Sequence, residues 1–343
     1  MIRIMSTCAF LCLFSTVAAA QDRSLTVATW GGSYTEKQRQ TILNPFTAAT
    51  GIRVLDTPYT GGLGQIRAMV DANNTTVDVI QMGSAETHSA CLEGLIERLD
   101  TARIANLDQY GTDKPGECGL PAVRWSMVIG YNTSAVQTEP AGWADFWDLK
   151  KFPGKRGMRR EAKYNLEAAL IADGVPAGKV YEVLATPAGV DRAFAKLSEI
   201  KPYVQWWEAG AQPSEWLASG GVAMTTGFIG RILEAKSENA PVNFSWNESI
   251  YSTDNWAIVT GTKNLDTAYE FLGFAAGAKP QAAFSEIQPV APANDAAAEM
   301  LSAGRKATVP VGENLAKGMK LDVAFWNDNL EPLTERFNRW LSQ

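Results

Sequence analysis

The residues Trp30-Gly31-Gly32-Ser33-Tyr34 set two aromatic rings and a hydroxyl on a turn that its glycines allow to be tight. Rings of this kind hold a cation against their faces, worth roughly 0.5–2 kcal/mol per ring once water is excluded. The plain reading is a strand-to-helix connection, but a tryptophan beside two glycines has little structural use there. Three charged residues farther along offer electrical poles: Glu86, Arg231 and Asp254. An arginine clamps a carboxylate through two parallel hydrogen bonds, and an aspartate supplies the opposite charge. Each also has an ordinary reading: Glu86 as a solvent-facing loop acid, Arg231 as a solvated residue at a helix start, Asp254 as a turn cap. Glu86 with Asp254 is also the acid/base pair a secreted enzyme would use. Trp206 and Trp207 are adjacent on an expected strand, so one faces a site and the other the core. The pattern does not say which, and Trp207 is carried forward as the candidate.

Other chemistries are poorly supplied. The chain has one histidine, His88, which leaves little for a His-based metal site or for Ser-His-Asp and Cys-His catalysis. Gly61-Gly62-Leu63-Gly64 resembles a phosphate-cradling loop without the Lys-Ser/Thr ending that a P-loop needs. Neither a catalytic residue, a metal nor a cofactor is expected. Lys155-Arg156 and Arg159-Arg160 form a short basic patch whose ordinary reading is a solvated face, with contact to an anionic ligand group as the alternative.

The elements that must position these residues follow a secretory signal. Residues 1–20 have a basic start at Arg3, an apolar run too short to span a bilayer and the small-residue end Ala18-Ala19-Ala20, so cleavage is expected after Ala20. What remains carries 30 Lys+Arg against 37 Asp+Glu, because residues 1–20 remove Arg3 and no acid. A phosphate-binding surface needs a basic excess, so nucleic acid is not an expected partner. The two cysteines past the signal, Cys91 and Cys118, read as one disulfide in an oxidising compartment, two buried thiols being the alternative.

The chain past residue 20 is longer than one core usually organises. Strands at 25–29, 51–55 and 77–81 alternate with helices at 36–49 and 63–73, which predicts an α/β unit with a parallel sheet. Ligands settle beyond the carboxyl ends of such strands, where the loops 30–34, 59–64 and 82–86 gather. A strand at 125–132 leaves this unit for a second α/β region, with strands at 203–206 and 222–226, and a strand at 254–259 returns. The expected organisation is 21–125 with 255–295 as one lobe and 126–254 with 296–343 as the other. Crossing strands then form a hinge with a ligand cleft between the lobes.

In this order and spacing, Thr29 to Tyr34, Asp78-Val79-Ile80 with Ser84, Ile129 to Asn132, Trp143 to Asp148 with Pro153-Gly154-Lys155, and Asp254 to Ile258 resemble the spermidine/putrescine-binding group of bacterial solute-binding proteins. The resemblance covers nearly all of the chain past the signal. It implies the type II periplasmic binding fold, a periplasmic location, monomeric capture of a small molecule for an ABC permease and no catalysis. Family members hold an amine between aromatic faces and carboxylates. Carried over, Trp30 and Tyr34 fall on the first-lobe wall, with Ser33 in their turn. Ser84 and Glu86 fall in the loop after the third strand, Phe228 where polyamine binders have a tryptophan, and Asp254 on the carboxylate that meets the amine.

Three departures bear on the ligand. Ser252 and Pro289 stand where aromatics are common, and Arg231 stands where polyamine binders have a small neutral residue. An arginine repels a diamine, so Arg231 with Asp254 suits a zwitterion. The pair is similar to that of the γ-aminobutyrate-selective binders of plant-associated bacteria in the same family, and the resemblance implies an ω-amino acid, with a polyamine as the alternative.

Overall fold

The structure, a computed structural model, describes residues 23–343; the expected signal and its cleavage after Ala20 lie outside the described residues. Ten strands form one sheet: β1 (Ser24–Thr29), β2 (Arg53–Pro58), β3 (Val79–Gly83), β4 (Leu120–Asn132), β5 (Arg156–Arg159), β6 (Val204–Trp207), β7 (Met224–Phe228), β8 (Val242–Ile258), β9 (Ala291–Pro292) and β10 (Met319–Lys320). The main order is β2-β1-β3-β8-β4-β7-β5-β6. Each end of the sheet is parallel, with β1 between β2 and β3 and β5 between β6 and β7. The middle is antiparallel, because β4 and β8 run in opposite directions from one half to the other.

These two strands make the halves one molecule. β4 is 13 residues and β8 is 17, roughly two to three times the usual strand length. The sequence shows why β4 persists: it is an almost continuous apolar and aromatic run buried along its length. Pro121 has no N–H to donate, and the register of β4 on β8 slips between Pro121 and Val123. A second slip lies between Met127 and Ile129, beside Glu248, whose φ is +58°.

Each half has its own core. One gathers Leu25, Phe46, Val79, Trp256 and Phe271, the other Phe146, Met158, Leu170, Trp207, Trp326 and Phe337. Trp125 packs against both. The expected return to the second half at residue 296 comes later in the structure: Ala297, Leu301, Val309 and Val311 pack with Ala282 and Ala291 on the first half. Apolar burial along that helix-and-turn segment holds it there until β10 joins β8 at Ile250 and Tyr251. Cys91 and Cys118 form a disulfide, tying the helix Ser84–Leu92 to the segment entering β4.

Candidate functional site

Asp254 sits where the halves meet. It lies on β8 opposite Gly83 of β3 and Val123 of β4, and it is 9% exposed. Its Oδ1 accepts a 3.0 Å hydrogen bond from the Trp125 indole and its Oδ2 a 2.9 Å bond from the Trp30 indole. Among the described residues no cation pairs with it. Trp125 reaches it from β4, where it lies opposite Ser252, two residues before the aspartate and on the same face of β8. The small Ser252 is thus accompanied by a large ring on the neighbouring strand. Burial pushes the Asp254 carboxyl up to about 6, the two indole N–H groups pull it down, and the charge of Glu86 adds to the rise.

The turn after β1 aims Trp30. Gly31 and Gly32 both have positive φ, +77° and +55°, which side-chain-bearing residues adopt at a cost. The Trp30 ring stacks at 5.3 Å on Tyr59. Tyr59 sits beside Glu86, and burial followed by that charge raises its hydroxyl well above the usual range. Glu86 accepts from the Gly62 N–H at 2.7 Å, so the glycine cluster of this loop serves a carboxylate of the chain itself. A Cβ on Gly83 would lie 3.9 Å from Glu86 Oε2 and 4.0 Å from Asp254 Oδ1, so both acids converge over that glycine. Tyr34 holds a different position: its hydroxyl accepts from Gln81 at 2.8 Å and its ring meets Phe284 edge-on. Burial, then the Asp254 charge, push that hydroxyl well up.

From Asp254 a row of rings leads into the second half. Trp125 meets Phe228 edge-on at 5.5 Å, and Phe228 meets Trp207 at 6.2 Å. Trp207 is fully buried, and its indole donates to Thr226. It therefore backs the site as the layer beneath Phe228. Trp206 points the other way, onto Phe337 and Trp340.

Trp30, Ser33, Tyr34 and Arg231 all line one cavity of about 960 Å³, with Pro289 on its wall. Arg231 is on the helix Ile229–Ser237, which starts right after Phe228. Its side chain is 56% exposed and donates to Glu234 on the same helix at 3.0 Å. Ser84 is elsewhere. Its hydroxyl bonds Thr253 and Asn255, which alternate with Asp254 and so point to the opposite face of β8. Ser84 and His88 line a separate cavity of about 540 Å³ beside the disulfide.

The structure thus brings together Trp30, Tyr34, Glu86, Phe228 and Asp254, puts Ser84 on the other face of β8, and adds Trp125 and Tyr59, which sequence reasoning did not single out. Trp125 had a readable signal: a tryptophan midway along a strand that links two cores.

Comparison with known proteins places the chain in a family and a fold. The profile of bacterial extracellular solute-binding proteins matches residues 41–310. A γ-aminobutyric acid-binding protein of Pseudomonas aeruginosa is 42% identical over 331 residues, covering 96% of this chain and 94% of that protein. Among solved structures, an ABC transporter substrate-binding protein from Bradyrhizobium japonicum superposes with a TM-score of 0.86 at 31% identity, over 93% of this chain and 99% of the other. A structure described as a GABA receptor superposes at 0.82 and 31% identity, over 93% and 98%.

Proposed function

Because the chain belongs to the family of bacterial extracellular solute-binding proteins, we propose that its cleft captures a small ω-amino acid of the γ-aminobutyrate type for an ABC permease. The observation that carries this reading is Asp254: a carboxylate buried between two indoles with no cation partner among the described residues. A buried unpaired charge is costly, and a ligand ammonium would offset that cost. Trp30, Tyr59 and Trp125 would enclose the ammonium with aromatic faces. Arg231, across the cavity from the Trp30 turn, would take the ligand carboxylate as the halves close and would exchange Glu234 for it.

Capture then proceeds by closure. Contacts from both halves favour the closed form, and a ligand shifts that balance only by its differential affinity for the two forms. The working protein is a periplasmic monomer, released from its signal after Ala20, and its closed form is what the permease reads. A second carboxylate near Asp254, Glu86, keeps a diamine as the rival ligand.

Titration calorimetry with γ-aminobutyrate and with putrescine, which has the same four-carbon chain, tests the reading. Tight binding of the amino acid with weak binding of the diamine supports it. Preference for putrescine overturns it.

A further inference from the structure

The short basic run before the second helical region divides into three fates. Arg156 is buried and spends its guanidinium on the carbonyls of Phe146, Phe152 and Gly154. Arg160 pairs with Glu208 at the surface. Arg159 does neither. It ends β5, and its guanidinium lies over the Trp207 ring at 5.4 Å and the Phe228 ring at 5.5 Å. Those residues end the adjacent parallel strands β6 and β7, so all three side chains stand at the carboxyl edge of one sheet, where ligands of α/β proteins bind.

Its ion-pair partner, Glu161, uses only one side of the guanidinium. Glu161 Oε1 lies 3.0 Å from Arg159 Nε, yet that oxygen makes no aligned hydrogen bond. Among the described residues the Arg159 guanidinium makes no hydrogen bond at all, although its side chain is only 31% exposed. An arginine stacked on aromatic faces has its planar fork held in place and loses little freedom when that fork is used. The same ring that carries it, Phe228, touches Trp125, and Trp125 holds Asp254. The site thus has a carboxylate at one end of a row of rings and, at the other, a guanidinium paired with Glu161 through Nε whose two terminal nitrogens have no partner among the described residues.

We propose that Arg159 is a specificity-determining residue that receives the ligand carboxylate inside the site, with Arg231 closing over it from the rim. The assignment rests on the ω-amino acid reading above. It makes a distinct claim: the charge that separates an amino acid from a diamine of equal length sits mainly on β5.

The test is a specificity exchange. Arg159→Met keeps an unbranched apolar stem over the two rings and removes the charge. Its affinity for γ-aminobutyrate is expected to fall about 100-fold, the scale of losing a charge-assisted bidentate contact, while its affinity for putrescine rises. Arg159→Lys, which retains charge without the fork, falls in between. A thermal melt near that of the parent shows that the variant is folded. Unchanged γ-aminobutyrate affinity in Arg159→Met overturns the assignment, as does equal loss of both ligands, which marks a structural role. A parent protein that prefers putrescine overturns the ω-amino acid reading itself, and the assignment with it.

Discussion

Trp125 and Asp254 are joined across neighbouring strands by a 3.0 Å hydrogen bond from indole to carboxylate, and Trp125 packs on the cores of both halves at once. The group proposed to meet the ligand is therefore fixed by a side chain at the seam between the halves. The consequences are measurable.

Removing the charge should trade function for stability. Asp254→Asn is expected to weaken γ-aminobutyrate binding by about 100-fold or more, as loss of a desolvated charge partner does. At pH 7.5 the empty variant should be more stable than the parent. The carboxyl is raised from 3.8 to about 6, and at about 1.4 kcal/mol per pH unit the gain is at most about 3 kcal/mol. Urea unfolding without ligand checks this; a less stable Asp254→Asn contradicts the cost assigned to the buried carboxylate.

The pH dependences of stability and binding should run in opposite directions. A carboxyl raised above its ordinary value contributes stability that is fully present below about pH 4 and is lost as pH rises through about 6. The stability difference between parent and Asp254→Asn should thus be small at pH 4 and complete above pH 7. Ammonium binding needs the ionised form, so the parent's affinity should fall about tenfold per unit as pH drops below 6. Calorimetry from pH 5 to 8 measures it, and a flat profile excludes Asp254 as the amine partner.

The indoles tune that midpoint. Trp125→Phe keeps a ring and deletes one N–H that holds the carboxyl down. Its binding profile should shift to higher pH, with affinity at pH 7.5 reduced by roughly ten- to 150-fold, the range for a lost hydrogen bond to a charged group. Trp30→Phe should shift it in the same direction. A loss of affinity with an unmoved midpoint would mean that the ring acts only by contact.

The disulfide should matter for stability far more than for capture. Cys91 and Cys118 are 27 residues apart, and opening a loop of that size costs about 3 kcal/mol. The double serine variant should unfold at lower urea concentration and keep its γ-aminobutyrate affinity within about threefold, since the bridge adjoins the cavity on the other face of β8. Heat and urea curves beside calorimetry separate the two effects.

Much of this was legible in the residues. The strand-and-helix alternation over β1, β2 and β3 puts the Trp30 turn at the carboxyl end of β1, because β1 and β3 are largely buried and read as apolar runs. Residues 82–86 read as a loop, whereas the helix Ser84–Leu92 starts within them: its apolar character is weak and its first turn carries Glu86. That moved Ser84 to the wrong face, since a single helical start fixes which side chains reach Asp254. Residues 242–253 of β8 do not read as strand, being rich in Asn and Ser; 242–245 and 250–253 pair because β4 lies alongside. Arg159 reads only as one member of a basic patch for a related reason. Four basic residues within six positions look alike until the fold sends one inward, one outward and one onto two rings.

The long crossing strands also bear on the order of events in the capture proposed above. Asp254 and Trp125 lie within the ribbon that runs through both halves, whereas Arg231 stands off the sheet on the helix after β7. On that reading the amine end of a guest would find its seat on the ribbon first and the acid end would fasten as the halves close, so a guest lacking that end would enter without ever latching the jaw.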